Sequence, residues 1–128
     1  MTGYLTVTQF EAAWHWRDNE RCVLPAPFGT LVLRHDTRGP LDLDALAPLL
    51  TVSARRGGEQ LRPVRGGARR ALKSLLQEAR VPVAQRARLP LVFAGERLIA
   101  AAGLWLDESV QANGASVNRA RLIWSDSG

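Results

Sequence analysis

The apolar residues of this chain follow two periods, and each period predicts a different kind of element. One segment carries apolar side chains at the i, i+3, i+4 and i+7 spacing of a helix face that packs against a core: Leu72, Leu75, Leu76 and Ala79. We therefore predict the main helix over about residues 68–80. Pro82 cannot continue that helix, and we predict a short second helix over about residues 82–87.

Shorter runs with alternating or β-branched residues predict strands. They cover residues 28–35, 49–55, 90–93, 97–101 and 120–124, with Ala94-Gly95-Glu96 as a hairpin turn between the third and the fourth. Residues 4–16 could begin as a strand, and residues 36–47 are expected to be a loop with a short helical turn at Asp42 to Leu46. These elements predict a single small α+β domain, in which a mixed, mostly antiparallel sheet packs with one main helix.

Length and composition agree with one domain. The 128 residues are 46% hydrophobic and 23% charged, which is typical of globular chains and not of disordered ones. The longest apolar runs are far shorter than the roughly 20 residues that cross a bilayer, and no secretory signal opens the sequence. Its one cysteine, Cys22, allows no internal disulfide. We expect a cytoplasmic protein that binds no membrane.

The basic residues are concentrated in the middle of the chain. Seventeen Lys and Arg against twelve Asp and Glu give a formal net charge of +5. Residues 55–97 alone hold ten arginines and the single lysine against three acidic residues, a balance of +8, whereas both flanking parts are slightly acidic. An excess of Arg over Lys also follows from GC-rich codon usage, but the clustering is typical of a polyanion-binding surface.

The sequence contains no catalytic or metal-binding constellation that we can identify. His15 and His35 lack partners at ligand spacing, and Cys22, followed by two apolar residues, is typical of a core position. The carboxylate pairs at positions 42/44 and 107/108 are interpreted as caps or solvated turns. A nucleophile elbow, a phosphate loop and a dinucleotide fingerprint are all missing from the sequence. We expect no catalytic residue and no bound metal in this chain.

A glycine pair in the basic segment is the strongest candidate for an anion site. Gly66 and Gly67 allow a tight or positive-φ turn, and we expect them just before the main helix, whose free N–H groups would receive an anion. Basic side chains crowd the same corner: Arg62, Arg65, Arg69, Arg70 and Lys73. At about 100° per helical residue, the last three share one flank, and Glu78 lies away from them. The competing interpretation is a glycine turn that leads into a solvated basic helix.

Several short motifs follow one another between residues 60 and 106: an Arg-Pro step, the glycine turn, Leu-Lys and Gln-Glu pairs on the helix, an Arg-x-Arg-x-Pro-Leu stretch and a Gly-Leu-Trp strand. In this order they resemble the C-terminal domain of bacterial tRNA(Ile)-lysidine synthetase, with matches at Arg70, Lys73, Gln77, Glu78, Pro82, Arg86, Arg88, Pro90 and Leu91. Arg65-Gly66 stands where that family has Gly-Arg, and Val83-Ala84 replaces its Pro-Trp.

The resemblance implies a function that composition alone does not. Enzymes of that family use ATP to attach lysine to the wobble cytidine of an isoleucine tRNA, and their catalytic ATP-pyrophosphatase domain carries a Ser-Gly-Gly-x-Asp-Ser loop that this sequence lacks. Residues 23–128 would be the C-terminal tRNA-binding domain, similar in fold to a domain of the phenylalanyl-tRNA synthetase β subunit. Residues 1–22 could be the tail of a preceding domain. The implied partners are the acceptor stem of isoleucine tRNA and the enzyme's own catalytic domain, with ATP, Mg²⁺ and L-lysine required by the full-length enzyme.

The expected RNA-binding residues combine the charge pattern with the resemblance: Arg62, Arg65, Gly66, Gly67, Arg69, Arg70, Lys73, Arg86 and Arg88. Proteins recognise an A-form stem mainly through phosphates, 2′-hydroxyls and shape, and the arginine fork binds phosphate oxygens in pairs.

Two other functions stay open. A stand-alone RNA-binding or protein-interaction module would lack a catalytic sequence upstream in its reading frame. A small enzyme acting on an anionic metabolite would show a deep pocket beside His35 or Cys22. Trp105 and Trp124 lie in apolar strands and are interpreted as core residues rather than as base-stacking platforms.

Overall fold

The computed structural model describes residues 8–125, which form three layers: a four-stranded sheet, a five-stranded sheet and a helix. The strands in this part of the chain are β1 (Glu11–Trp14), β2 (Arg21–Val23), β3 (Thr30–His35), β4 (Leu41–Asp42), β5 (Leu50–Ser53), β6 (Gln60–Leu61), β7 (Arg70–Ala71), β8 (Leu91–Ala94), β9 (Arg97–Ala101), β10 (Trp105–Leu106) and β11 (Arg119–Ser125). The helices are α1 (Leu72–Glu78) and α2 (Val83–Arg86), with 3₁₀ turns at Leu43–Ala45 and Glu108–Val110.

The five-stranded sheet lies in the middle, in the antiparallel order β1-β5-β8-β9-β10. Strands β8 and β9 are buried on both faces, because alternate residues of a strand point to opposite sides. Val92 and Ile99 pack into one hydrophobic cluster, whereas Leu91 and Leu98 pack into the other. This is why both strands read in the sequence as continuous apolar runs. The predicted hairpin between them is confirmed.

The first hydrophobic cluster fills the space between the two sheets. The four-stranded sheet has the order β2-β3-β11-β4. Trp14 and Trp16 are buried in this cluster, and β1 and β2 pair with later strands. Residues 11–23 therefore share the sheets and the core of the rest of the chain. The assignment of residues 1–22 to a preceding domain stays a prediction, and its first seven residues lie outside the described part.

Helix α1 covers the other face of the five-stranded sheet. Leu72, Leu75 and Leu76 form the second cluster together with Leu91 and Leu98 from the sheet, so the predicted leucine stripe is confirmed. Each buried leucine stabilises the fold by about 1.5–3 kcal/mol relative to an exposed one. The fourth member of the predicted stripe, Ala79, is exposed, because it caps the helix instead of continuing it.

The predicted start of the main helix is wrong by four residues. The structure begins α1 at Leu72, because Arg70 and the residue after it are extended and pair with β6 as strand β7. The Leu72 N–H donates to the carbonyl of Glu59 at 3.0 Å, so the β6–β7 hairpin supplies an acceptor at the helix start. The leucine spacing itself required a helix only from Leu72 onward. Gly66 and Gly67 therefore lie in a hairpin loop and not at a helix N-terminus.

A left-handed residue ends α1. Arg80 has φ of 54°, its N–H donates to the carbonyl of Gln77, and the N–H of Val81 donates to that of Leu76, both at 3.1 Å. This is the Schellman arrangement, which turns the chain sharply after a helix. A non-glycine residue in this conformation costs about 1 kcal/mol. Burial of Val81 beside Leu76 offsets that cost.

The remaining predicted elements are present with shifted ends. Strands over 28–35, 49–55 and 120–124 become β3, β5 and part of β11, and the short second helix is α2. The helical turn predicted in the 36–47 loop is the 3₁₀ turn Leu43–Ala45, capped by the side chain of Asp42. The likeness to the phenylalanyl-tRNA synthetase domain stays a prediction. Among residues 8–125, none of the helices has the length and apolar character needed to cross a bilayer.

Candidate nucleic-acid interface

The loop that joins β6 to β7, residues 62–69, carries five of the predicted site residues, and we call it the basic loop. Its centre is a turn in which the Gly67 N–H donates to the Val64 carbonyl at 2.8 Å. Gly66 has φ of 75°, and a Cβ on Gly67 would lie 3.0 Å from the Val64 carbonyl oxygen. The prediction of a tight, positive-φ turn at the glycine pair is confirmed.

A buried carboxylate holds the start of the basic loop. Asp107 is 2% exposed, and its Oδ1 accepts the backbone N–H of Arg62 at 2.8 Å. Its Oδ2 accepts the hydroxyl of Ser109 at 2.6 Å and the guanidinium of Arg97 at 2.9 Å. Both oxygens are therefore engaged, and a charge this deeply buried requires such partners. We call residues 107–111 the anchor segment.

Two more residues of the anchor segment bind the basic loop. The Glu108 N–H donates to the Arg62 carbonyl at 2.8 Å, and its carboxylate accepts the Gly66 N–H at 3.0 Å. The side-chain amide of Gln111 donates to the Pro63 carbonyl at 2.7 Å. The conformation of the loop is therefore set by side chains that lie more than forty residues later in the sequence.

The environment of Asp107 favours its ionised form. Burial raises its pKa, but hydrogen bonds from Ser109 and from the Arg62 N–H, together with the charge of Arg97, outweigh burial and hold the pKa below the ordinary value of 3.8. A carboxyl with a lowered folded-state pKa stabilises the fold above its unfolded pKa, and this contribution is lost as the pH falls through the folded pKa.

We expect the domain to lose stability as the pH falls below about 4, and an Asp107→Asn variant to lose less of it over the same range. The pKa of Asp36 is also lowered, by the Arg38 N–H and by Arg121, so Asp36 adds to the loss of stability at low pH. The Asp107→Asn variant should therefore reduce this loss without abolishing it. Thermal unfolding followed by circular dichroism from about pH 2 to pH 7 measures this. If the unfolding temperatures of both proteins fall equally steeply as the pH is lowered, the role given to Asp107 is contradicted.

Two of the predicted RNA-binding arginines, Arg65 and Arg86, are held by backbone carbonyls of the chain itself. Arg65 donates to the Gln111 carbonyl at 2.9 Å, and Arg86 donates to the Val81 carbonyl at 2.6 Å. A carbonyl partner orients a guanidinium without cancelling its charge. Arg62 lies 3.5 Å from the Glu108 carboxylate, and its side chain is 45% exposed.

Arg70 differs from these, because its guanidinium forms an ion pair with the Glu78 carboxylate at the far end of α1. The prediction that Glu78 lies away from the basic side chains is wrong. Arg69 and Arg70 precede the helix, so the helical spacing used for that prediction does not apply to them. Lys73, in the first turn of α1, is exposed and has no ion pair within residues 8–125.

Arg86 and Arg88 lie in α2 and just after it, beyond the C-terminal end of α1, whereas the basic loop precedes its N-terminal end. The structure therefore brings Arg62, Arg65 and Arg69 together on one loop and places this pair at the other end of the helix. Contact of all the predicted residues with RNA stays a prediction.

An open groove of about 640 Å³ beside the basic loop adds two arginines that were not predicted as site residues. Arg69 lines it together with Arg56 and Arg97, and two glutamates, Glu59 and Glu96, line it as well. The ion pair of Arg97 with Asp107 connects this groove to the anchor of the loop. Arg56 and Arg97 contribute to the positive balance of residues 55–97, but no local motif distinguishes them from other arginines.

The two residues on which an enzymatic interpretation depends are not arranged for catalysis. Cys22 is buried in β2, and burial raises the pKa of its thiol, which keeps it protonated and poorly nucleophilic. The exposed His35 side chain contacts the Glu20 carboxylate at 3.0 Å.

The fold and the loop together define a class: a small three-layer α+β domain that presents an arginine-rich loop anchored by a buried carboxylate. Comparison with known proteins gives the family. The family model for the TilS substrate C-terminal domain matches residues 50–124, which is more than half of the chain and includes the basic loop and the anchor segment. The chain belongs to this family, and the resemblance based on its motifs is confirmed.

Curated relatives agree with this assignment. The tRNA(Ile)-lysidine synthase of Ralstonia nicotianae is 42% identical over 113 residues, which are 87% of this chain and 24% of that protein. The corresponding enzyme of Coxiella burnetii is 34% identical over 99 residues, 77% of this chain and 22% of its own. The chain thus spans about a quarter of the length of these relatives.

A crystal structure of a TilS C-terminal domain has a TM-score of 0.59 to this chain at 20% identity, covering 87% of this chain and 94% of that one. At this identity the likeness supports the fold alone, and it confirms the small α+β architecture expected from the sequence.

Proposed function

We propose that this domain is the tRNA-recognition part of a tRNA(Ile)-lysidine synthase and that it holds the acceptor stem of an isoleucine tRNA. Family membership supports the enzyme class. The observation that carries the binding role is the basic loop, from which Arg62, Arg65 and Arg69 extend on a backbone fixed by Asp107. A loop ordered before binding loses little conformational entropy when it meets its ligand.

The chemistry of the loop fits a duplex RNA backbone. The grooves of A-form RNA offer phosphates and 2′-hydroxyls at fixed spacing, and guanidinium groups bind phosphate oxygens in pairs. The ion pair of Arg62 with Glu108 is long, and the Arg62 side chain in it is 45% exposed. The pair therefore contributes little to stability, and Arg62 can exchange that carboxylate for a phosphate at low cost. Arg56 and Arg97 line the adjoining groove, but they pair with the carboxylates of Glu11 and Asp107, so the positive charge that supports the proposal is that of the basic loop.

In this proposal the ligase chemistry belongs to the catalytic domain of a longer protein. That domain would bind ATP, Mg²⁺ and L-lysine and attach lysine to the wobble cytidine. The present domain would supply affinity and help to reject the similar methionine tRNA. The enzyme would work in the cytoplasm, where its tRNA substrate occurs.

Binding of isoleucine tRNA should depend strongly on salt. Four to six phosphate contacts, each adding about 0.7–0.9 to the slope of log K against log salt, predict a loss of about two to three orders of magnitude between ~50 and ~200 mM salt. Fluorescence anisotropy titrations of the chain with labelled isoleucine tRNA at the two salt concentrations measure this loss.

Methionine tRNA is the control ligand in the same titrations. Tighter binding of isoleucine tRNA supports a recognition domain, whereas equal binding of the two supports a stand-alone RNA-binding module. Absence of binding at ~50 mM salt, or an affinity that salt does not change, would exclude the proposed function.

A further inference from the structure

We propose that a second groove, centred on Trp105, binds an unpaired nucleotide of RNA. The proposal rests on the proposed function, because the nucleotide would continue the strand whose stem the basic loop holds. This Trp105 groove has a volume of about 510 Å³, and its walls include Arg38, Pro63, Leu104, Trp105, Gln111 and Arg119.

The indole of Trp105 differs from the other three in the chain. Trp14, Trp16 and Trp124 each donate their indole N–H to a backbone carbonyl, at 2.7, 2.7 and 2.8 Å. The indole N–H of Trp105 has no such acceptor within residues 8–125. Trp105 is half-buried, because part of the ring packs against the second hydrophobic cluster while the residue also lines the groove. An aromatic ring with an open N–H offers a nucleobase both a stacking surface and a donor.

The charge of the groove favours an anion. Arg38 and Arg119 line it, and no carboxylate does. Arg119 donates to the Gly39 carbonyl at 2.7 Å, which orients its guanidinium without cancelling the charge. The carboxylate of Asp36 lies nearby, but it is engaged by Arg121 at 2.6 Å. Phosphate is the ligand that suits two uncancelled guanidinium groups beside an aromatic ring.

The groove is continuous with the candidate RNA interface. Pro63 belongs to the basic loop and Gln111 to the anchor segment, both line the groove, and they are joined by the hydrogen bond at 2.7 Å. A strand that leaves a stem held by the loop can therefore enter the groove without crossing other parts of the surface. Leu104, 44% exposed, adds apolar surface beside the ring. A flat base with one phosphate matches this combination better than an acidic side chain, which cannot stack on an indole.

The test compares two RNA duplexes with the sequence of an acceptor stem, one blunt and one with a short single-stranded 3′ extension. At ~50 mM salt we expect the extension to tighten binding by the intact chain about tenfold. Trp105→Leu should remove this gain and leave the affinity for the blunt duplex unchanged. Trp105→Phe should keep part of the gain, because the ring remains while the N–H is lost.

Arg38→Ala should lower the gain from the extension several-fold. Arg21→Ala is the matched control, because it removes the same charge from an exposed position on β2, at the opposite edge of the four-stranded sheet from β4. Arg21→Ala should change the affinities for the blunt duplex and for the extended duplex by the same factor. Circular dichroism of each variant confirms that the fold is intact.

The outcomes separate this inference from the proposed function. Tight binding of the blunt duplex without any gain from the extension overturns the inference alone. If neither duplex binds, the proposed function fails. A single-stranded oligonucleotide then decides the inference: binding that Trp105→Leu abolishes supports it, and no binding overturns it.

Discussion

Replacing Asp107 with alanine is expected to lower the free energy of unfolding by about 3 kcal/mol. The substitution leaves the backbone N–H of Arg62 without its acceptor in a partly buried place and removes the cap of the Glu108–Val110 turn. The Arg97 side chain is 54% exposed, so water solvates its released charge, and the loss stays below that of a fully buried pair. Denaturation by urea, followed by circular dichroism, measures the change.

Two variants make this result specific to Asp107. Asp36→Ala removes an equally charged residue from an ion pair with a half-exposed partner and should lower the free energy of unfolding much less than Asp107→Ala does. Asp107→Asn keeps an acceptor for the Arg62 N–H but loses the charge. Its loss in the free energy of unfolding should lie between those of the two alanine variants. If Asp107→Ala unfolds at the same urea concentration as the unchanged chain, the carboxylate does not hold the loop in the way described.

Removing two arginines from the basic loop should weaken tRNA binding by about a hundredfold at ~50 mM salt. From counterion release, each phosphate contact contributes about one factor of ten at this salt concentration. Arg65→Ala combined with Arg69→Ala removes two such contacts. The slope of log K against log salt should fall by about 1.5. Titrations of isoleucine tRNA over several salt concentrations give both values.

The control for this pair is the double variant Arg21→Ala with Arg34→Ala. Both arginines are exposed on the four-stranded sheet. This variant therefore has the same net charge as the loop variant, but the charges it loses lie outside the basic loop. It should bind within a few-fold of the unchanged chain. Equal losses in the two variants would show that RNA responds to total charge and not to the loop.

Much of the fold could be predicted from periodicity. The leucine stripe of α1, the β8–β9 hairpin and the strands β3, β5 and β11 all have a local signal, because their side chains alternate between core and solvent or repeat at helical spacing. The two-residue strands β6 and β7 could not be predicted. Their pairing joins residues nine and eleven positions apart, and two residues are too few to show a period.

The candidate site likewise contains local features, which the sequence shows, and non-local features, which it does not. The glycine turn and the arginines of the basic loop are visible in the sequence, because composition and conformational freedom are local properties. The role of Asp107 is not local. The sequence predicts a cap, which the structure confirms, but nothing in it connects that carboxylate to an N–H 45 residues earlier. Trp105 was interpreted as a core residue, and only the packing reveals that part of it borders a groove.

The burial of β8 and β9 on both sides has a consequence for how the molecule tolerates change. Val92 and Leu91 are adjacent in the sequence but pack into different clusters. A smaller side chain at position 92 loosens the packing between the two sheets, and a smaller side chain at position 91 loosens the packing of helix α1 on the five-stranded sheet. The two hydrophobic clusters are therefore coupled, since the same two strands contribute side chains to both. The β6–β7 hairpin, which carries the basic loop, thus shares the cooperative stability of the entire domain, including tryptophans on its far side.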